Sequence, residues 1–170
     1  MVKVCIQKSE HPSVRRALDS IDFTPKECEL VVIKPDLGST SPAPEEATDA
    51  SLIGQVLKIY EGRGKCVILG SDTQGVTAEE YFERTGISSI CEDYGAETVN
   101  ITKDLRIPVE RNYLALKNFK MPATILKADV FINMPKMKTY PSTTVSLGLL
   151  NIFDIISAVK GVYYPRIAES

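Results

Sequence analysis

Short runs of β-branched and aliphatic residues, each leading into a polar loop and then a stretch with helical spacing, constrain the fold of this chain most strongly. Three such runs, each flanked by turn-forming residues, are Glu29–Lys34, Lys65–Leu69 and Asp129–Asn133. Strands that alternate with helices pair in parallel, because each helix returns the chain to the same end of the sheet. We therefore predict an α/β fold with a mainly parallel open sheet and helices on both faces.

The length of 170 residues and the hydrophobic content of 44% predict one domain over residues 1–170, since such a chain buries roughly two-thirds of its unfolded surface. Val2–Ile6 is predicted to form a short additional strand, because it is rich in β-branched residues. His11–Ile21 is predicted to form a helix, with Val14, Leu18 and Ile21 on one face.

The remaining pattern predicts helices and strands up to Val159. Predicted helices begin at Thr48 and at the capping-box pair Thr77 and Glu80, and others cover Ser88–Tyr94 and Thr143–Val159, the last capped by Ser142 or Thr143. Glu97–Ile101 is predicted to be a strand and Met134–Pro141 a loop. Residues 102–121 are predicted to form irregular strands or an excursion from the main sheet.

The formal net charge of −2 indicates neither a nucleic-acid-binding surface nor an acidic tail. Residues 111–138 are locally basic, which fits either solvated loop lysines or a basic patch. Nucleic acid is not an expected partner, and binding through this stretch would require a strongly salt-dependent affinity.

We expect a cytoplasmic protein without a membrane-spanning segment. The start of the chain has no charged region followed by a long apolar stretch, so no secretory signal is predicted. The most apolar segment, Val145–Val162, is interrupted by Asn151, Asp154 and Lys160, and it is predicted to be a buried helix.

The four cysteines are widely spaced and include no Cys-x-x-Cys pair, so we expect structural free thiols and no iron–sulfur cluster in this chain. His11, the only histidine, precedes a proline at a predicted helix start. A surface or capping role is expected for it, and the cofactor, if any, is unknown.

Three polar loops begin where predicted strands end, and in open parallel sheets ligands bind outside these carboxyl ends. The candidate ligand-binding residues are Lys34, Asp36, Ser71, Asp72, Thr73, Asn133, Lys136 and Lys138. Lysines in this position favour an anionic small molecule. The alternatives are an ion-paired rim, in which the aspartates neutralise the lysines, and covalent lysine chemistry.

The G-S-D-T-Q-G loop at 70–75 is close to the phosphate-binding pattern G-x-x-x-x-G-K-[ST], but Val76 replaces the lysine that neutralises terminal phosphates. It fits a nucleotide loop, an anion-holding loop or a plain capped turn. No G-x-G-x-x-G follows the first predicted strand, so a standard dinucleotide fingerprint is absent.

These loops also carry a family resemblance. The strings V-I-K-P-D at 32–36, G-S-D-T-Q-G at 70–75, D-V-F-I-N-M-P-K-M-K-T-Y at 129–140 and V-S-L-G-L-L-N-I-F at 145–153 resemble motifs of the domain-of-unknown-function family 362. Many longer members of that family are described as iron–sulfur-cluster-binding proteins, which implies a role in a redox or cofactor-related enzyme.

Two function hypotheses follow. The lysines, Asp72 and Asn133 favour an anion-binding protein with the redox or cofactor-related role that the resemblance implies. This chain has Asp36, Tyr140, Leu150 and Asp154 where the family has Asn, His, Lys and Gly. The departures at Asp36, Tyr140 and Leu150 favour a noncatalytic interaction subunit that binds another protein or a second copy of itself.

Overall fold

The computed structural model describes residues 2–8, 12–38, 46–73, 75–110, 119–141 and 144–156. Its strands are β1 (Leu30–Pro35), β2 (Lys65–Gly70), β3 (Glu97–Asn100), β4 (Arg106–Val109), β5 (Phe119–Pro122), β6 (Val130–Met134), β7 (Lys138–Tyr140) and β8 (Thr144–Ser146). Its helices are α1 (Val14–Ser20), α2 (Ala50–Tyr60), α3 (Ala78–Arg84), α4 (Ile87–Tyr94), α5 (Ala123–Leu126) and α6 (Gly148–Ile156).

A four-stranded sheet in the order β3-β2-β1-β6 forms the centre of the fold, and all its strands are parallel. Two short antiparallel pairs, β4 with β5 and β7 with β8, lie outside it. The prediction of an α/β fold with a mainly parallel sheet is confirmed.

The alternating side chains of β1 divide the hydrophobic core between the two faces of the sheet. Val31 and Ile33 pack in a cluster with residues of α2, α3 and α4. Val32 belongs to a second cluster that includes Ile155 of α6. Helices therefore cover both faces, as predicted.

The strand order reverses direction at β1. The chain runs from β1 through β2 to β3 on one side, and then returns to place β6 on the other side of β1. A reversal of this kind opens a crevice between the carboxyl ends of the two strands that flank it. Here that crevice lies between the ends of β1 and β6.

Local signals in the sequence predicted several helix boundaries. Thr77 and Glu80 form the expected capping box at the start of α3. α4 ends at Gly95, which adopts a left-handed backbone with φ of 63°. No helix within the described ranges has the length and apolar character that a membrane crossing requires.

The strand predicted at Val2–Ile6 is wrong. Residues 2–8 have no regular secondary structure, and in the described part of the chain no strand pairs with them. The β-propensity of this segment reflects side chains that suit a sheet, and it produces a strand only where a neighbouring strand is available.

The predictions after β6 also need correction. The predicted loop at Met134–Pro141 contains β7, and the predicted helix begins at Gly148 rather than Thr143, because residues 144–146 pair with β7 instead. Before β6, the described part of residues 102–121 contains β4 and β5, which pair with each other outside the central sheet, as expected of the excursion from the main sheet that was one of the two alternatives predicted there. His11, Ser142, Thr143, residues 111–118 of the basic stretch and the predicted helix beyond Ile156 lie outside the described residues.

Candidate functional site

Lys34 is a buried cation at the carboxyl end of β1, with only 2% of its surface exposed. The two-residue period of the strand places it on the same face as Val32, toward α6. Its Nζ donates hydrogen bonds to the Pro35 carbonyl oxygen at 2.8 Å and to Asn151 Oδ1 at 3.1 Å. The ammonium group is therefore held between the end of its own strand and α6.

Two asparagine side chains extend this network to β6. Asn151, itself 4% exposed, donates from Nδ2 to the Lys34 carbonyl oxygen at 3.0 Å and to Asn133 Oδ1 at 2.7 Å. Asn133 then donates from Nδ2 to the Gly148 carbonyl oxygen at 2.9 Å. The network joins β1, β6 and α6 and fixes the direction of each amide group.

A second group of polar contacts lies at the same crevice. Lys138 of β7 forms an ion pair with Asp36, 2.9 Å from Nζ to Oδ1, and also donates to the Glu46 carbonyl oxygen at 3.2 Å. Asp36 Oδ1 accepts a further hydrogen bond from the Gly38 amide at 3.0 Å. This ion pair holds β7 against the residues that follow β1.

Thr48 connects the ends of the two strands. Its hydroxyl accepts from the Asp36 amide at 2.9 Å and donates to the Met134 carbonyl oxygen at 2.5 Å, while its own amide donates to the Asp36 carbonyl oxygen at 2.8 Å. The side chain is almost fully buried. Its position just before α2 lets the helix start stabilise the crevice.

Lys136 is exposed on the loop between β6 and β7. It lies close enough to Asp49, the N-cap of α2, for its positive charge to stabilise the Asp49 carboxylate. Hydrogen bonds from Ser51 are the main cause of the lowered pKa of Asp49, and the positive charge of Lys136 lowers that pKa further. Lys136 thus adds positive charge on the α2 side of the crevice.

Asp72 lies after β2 at the same edge of the sheet but contacts different residues. Its Oδ1 accepts hydrogen bonds from the Ala78 amide at 2.9 Å and from Asn100 Nδ2 at 2.7 Å. Its own amide donates to Thr102 Oγ1 at 2.9 Å. Asp72 therefore stabilises the start of α3 and the end of β3.

Thr73 and Val76 pair with each other across the end of the 70–75 loop. The backbone of Thr73 and Val76 exchanges two hydrogen bonds, of 3.0 and 2.8 Å. The Glu80 carboxylate accepts a hydrogen bond from the Thr77 amide at 2.9 Å, so this amide also has a partner within the protein. These contacts are those of a capped turn.

The predicted residues thus form two adjacent groups. The structure brings Lys34, Asp36, Asn133 and Lys138 together at the ends of β1 and β6, with exposed Lys136 on the neighbouring loop. Ser71, Asp72 and Thr73 follow β2, and the contacts of Asp72 and Thr73 connect them to α3, β3 and their own turn.

Sequence reasoning left three residues of these networks out of the candidate site. Asn151 carried a signal, because it is a polar residue within an otherwise apolar helix. Asn100 follows the same rule as Asn133, since it lies at the carboxyl end of a parallel strand. Thr48 had no such signal, because a threonine before a helix is most simply explained as a cap.

The described residues include no group of three or more His, Cys, Asp or Glu side chains arranged to hold a metal ion. All four cysteines are free thiols. Burial raises the pKa of Cys66 to about 11 and that of Cys91 to about 11, with nearby charges adding to the effect. These two thiols are core residues of low reactivity.

Comparison with protein families identifies a match over residues 31–166 to the family described as Domain of unknown function (DUF362). The chain belongs to this family. The matched region contains the central sheet from Val31 onward and every residue of the two networks described above. No match to the chain was found among the curated proteins or among the solved structures. The family description assigns no reaction, so the site itself must support any functional proposal.

Proposed function

We propose that this member of the family binds an anionic small molecule in the crevice between the carboxyl ends of β1 and β6. The observation that carries the proposal is the burial of Lys34. Removing an ammonium group from water costs several kcal/mol even after the protein relaxes around it. An aliphatic residue at this position would join β1 to α6 without that cost, so the lysine is better explained by binding.

The surrounding charges support an anion rather than a cation. The charged residues around the ends of β1 and β6 are three lysines and two carboxylates: Lys34, Lys136, Lys138, Asp36 and Asp49. A crevice with an excess of positive charge concentrates anions, because its low-dielectric walls focus the field. A phosphate or carboxylate is the ligand class that lysine ammonium groups and backbone amides best recognise.

The proposal extends to a role in a redox or cofactor-related enzyme. Its support is the sequence resemblance to longer family members that are described as iron–sulfur-cluster-binding proteins. The lysines would hold and orient the anionic part of the substrate or cofactor, while Asn151 and Asn133 fix the direction of the Lys34 ammonium group.

Calorimetric titration of the protein with inorganic phosphate, nucleotides and small carboxylates tests this proposal. We expect at least one of these anions to bind with a dissociation constant below 1 mM, the value that corresponds to about −4.1 kcal/mol. Lys136→Met and Lys138→Met should each weaken that binding by about 1.5 to 3 kcal/mol, because each removes one charge-assisted hydrogen bond.

Lys65→Met is the matched control. Lys65 begins β2 at the opposite end of the sheet, where it is exposed and pairs with Glu97 at 2.8 Å. The same charge removal there should leave anion binding unchanged. If all three substitutions weaken anion binding equally, the affinity depends on the net charge of the protein and not on this crevice. If no anion binds the wild type below millimolar concentration, the proposal is rejected.

One observation favours a noncatalytic interaction subunit as the second candidate. Asp36 already occupies Lys138 as an internal ion pair, as expected of a degenerate site that no longer takes a ligand. In that case Lys138→Met lowers the melting temperature, because Asp36 loses its partner, and neither protein binds an anion. Melting curves recorded beside the titrations separate the two candidates.

A further inference from the structure

β6 is an edge of the central sheet within the described ranges, since it pairs with β1 on one side only. An apolar groove of about 350 Å³ runs beside this edge, between β6 and the helices α1 and α2. Its lining includes Val14, Leu18, Phe23, Val56, Val130 and Ile132. An open strand edge beside an apolar groove is a template for the addition of another strand.

The same chain contains a segment that has the sequence of a strand but pairs with no strand among the described residues. In Val2–Ile6 the side chains of Val2, Val4 and Ile6 are 89%, 78% and 92% exposed. They alternate with Lys3 and Cys5, so an extended backbone directs the three aliphatic side chains to one side. Three exposed aliphatic side chains in one row form an apolar strip of the kind that marks an interaction surface.

Local contacts hold this segment beside α1, the helix that forms one wall of the groove. Lys3 Nζ pairs with Asp22 Oδ2 at 2.8 Å, just after α1. Gln7 exchanges two hydrogen bonds with the backbone of Ser13, at 3.0 and 3.1 Å, just before α1. The segment thus lies beside α1 of its own chain, with its three aliphatic side chains exposed.

We propose that a second copy of this chain covers the groove, with the Val2–Ile6 segment of each copy added as a strand along β6 of the other. The segment and β6 have the same length, five residues. One side of the added strand places Val2, Val4 and Ile6 over the groove. The other side places Lys3 and Cys5 on the face of Phe131, which is partly exposed.

A second copy is the occupant that the geometry favours, because one chain supplies both halves of the contact. When two copies exchange these segments around a twofold axis, each segment pairs with the β6 edge of the other copy. No segment or edge is then left to add a third copy. The strip and the groove are both apolar, which favours a strand with alternating aliphatic residues over a charged partner. Lys34 and Lys138 do not line this groove, although Asn133 of the Lys34 network does.

Sedimentation equilibrium over a range of protein concentrations tests the proposal. The full chain should have twice the mass of one copy, which is 18.7 kDa. Val4→Asp should raise the dimer dissociation constant at least tenfold, because it places a carboxylate in the apolar contact. Because the Val4 side chain is exposed in a single copy, the substitution should not prevent folding. Circular dichroism checks that the variant is folded.

Leu105→Asp is the matched control, since Leu105 is similarly exposed (70%) and lies between β3 and β4, away from β6. It should leave the dimer intact. Amide hydrogen exchange adds a readout of position, because the β6 amides should exchange more slowly in the wild type than in Val4→Asp. A wild type that stays monomeric up to its solubility limit would overturn the proposal. So would a dimer that Val4→Asp leaves intact, or one whose β6 amides exchange equally fast in both proteins.

Discussion

At the scale of single residues, Lys34 and Asn151 show how a buried polar pair is made tolerable in a core. Each buried polar group that lacks a hydrogen-bond partner costs about 1 to 3 kcal/mol, and more if it is charged. The Asn151 side chain makes two hydrogen bonds with Lys34, accepting one from its ammonium group and donating one to its carbonyl oxygen. The two residues therefore depend on each other.

We predict that Asn151→Leu lowers the free energy of unfolding by about 1.5 to 3 kcal/mol, because it removes an acceptor from a buried charge. Lys34→Met in the same protein should recover part of that loss, since the ammonium group that has lost one of its acceptors is then absent. Urea unfolding of the two single variants and the double variant measures this coupling. Strictly additive losses would show that the two side chains act independently.

The cysteines give a second prediction at this scale. Raising the pKa of Cys66 and Cys91 to about 11 leaves very little thiolate at pH 8, and both thiols are buried. A thiol-specific alkylating reagent should therefore modify partly exposed Cys5 in the native protein long before these two. Mass spectrometry of the alkylated peptides decides the order, and modification of Cys66 or Cys91 as fast as Cys5 would contradict the described core.

At the scale of elements, the sequence predicted the strands and helix boundaries whose signals lie in residues close together in the chain. The β-branched runs predicted β1, β2 and β6, and the capping box predicted the start of α3, because both signals are local. β7 and β8 were missed since each forms only by pairing with the other. The strand at Val2–Ile6 was predicted wrongly for the same reason, because its propensity has no partner strand in the described part of the chain.

Arg106 connects two elements that no local pattern relates. From β4 it donates to the Ile155 carbonyl oxygen of α6 at 2.6 Å and to the Ile101 carbonyl oxygen at 3.2 Å. A cation at the last carbonyl groups of a helix also interacts favourably with the helix dipole. Burial lowers the pKa of Arg106, and the charge of Asp104 opposes that change.

We therefore predict that Arg106→Met lowers the free energy of unfolding by about 1.5 to 3 kcal/mol, through the loss of two charge-assisted hydrogen bonds. Arg84→Met is the control, because Arg84 makes an exposed ion pair with Glu80 at 3.8 Å that should contribute less than about 1 kcal/mol. Denaturant titration of both variants is the measurement. Equal losses would mean that Arg106 does not hold α6 in place.

At the scale of the whole molecule, the strand order decides which predicted residues meet. A parallel sheet was enough to place all three polar loops at one edge. It could not show that β6 lies beside β1, which brings Asn133 opposite Lys34 and leaves Asp72 with α3 and β3. The single domain, the cytoplasmic location and the bound anion stay predictions.

The position of a bound anion distinguishes a site at the ends of β1 and β6 from one at the 70–75 loop. Crystals grown without phosphate or sulfate and then soaked in inorganic phosphate should show it at the ends of β1 and β6, within hydrogen-bonding distance of Lys136 or Lys138. Crystals of Lys138→Met, soaked in the same way, serve as the comparison and should show weaker occupancy. Phosphate bound instead at the 70–75 loop, or no phosphate in the crevice at a concentration that saturates binding in solution, would rule out an anion site between β1 and β6.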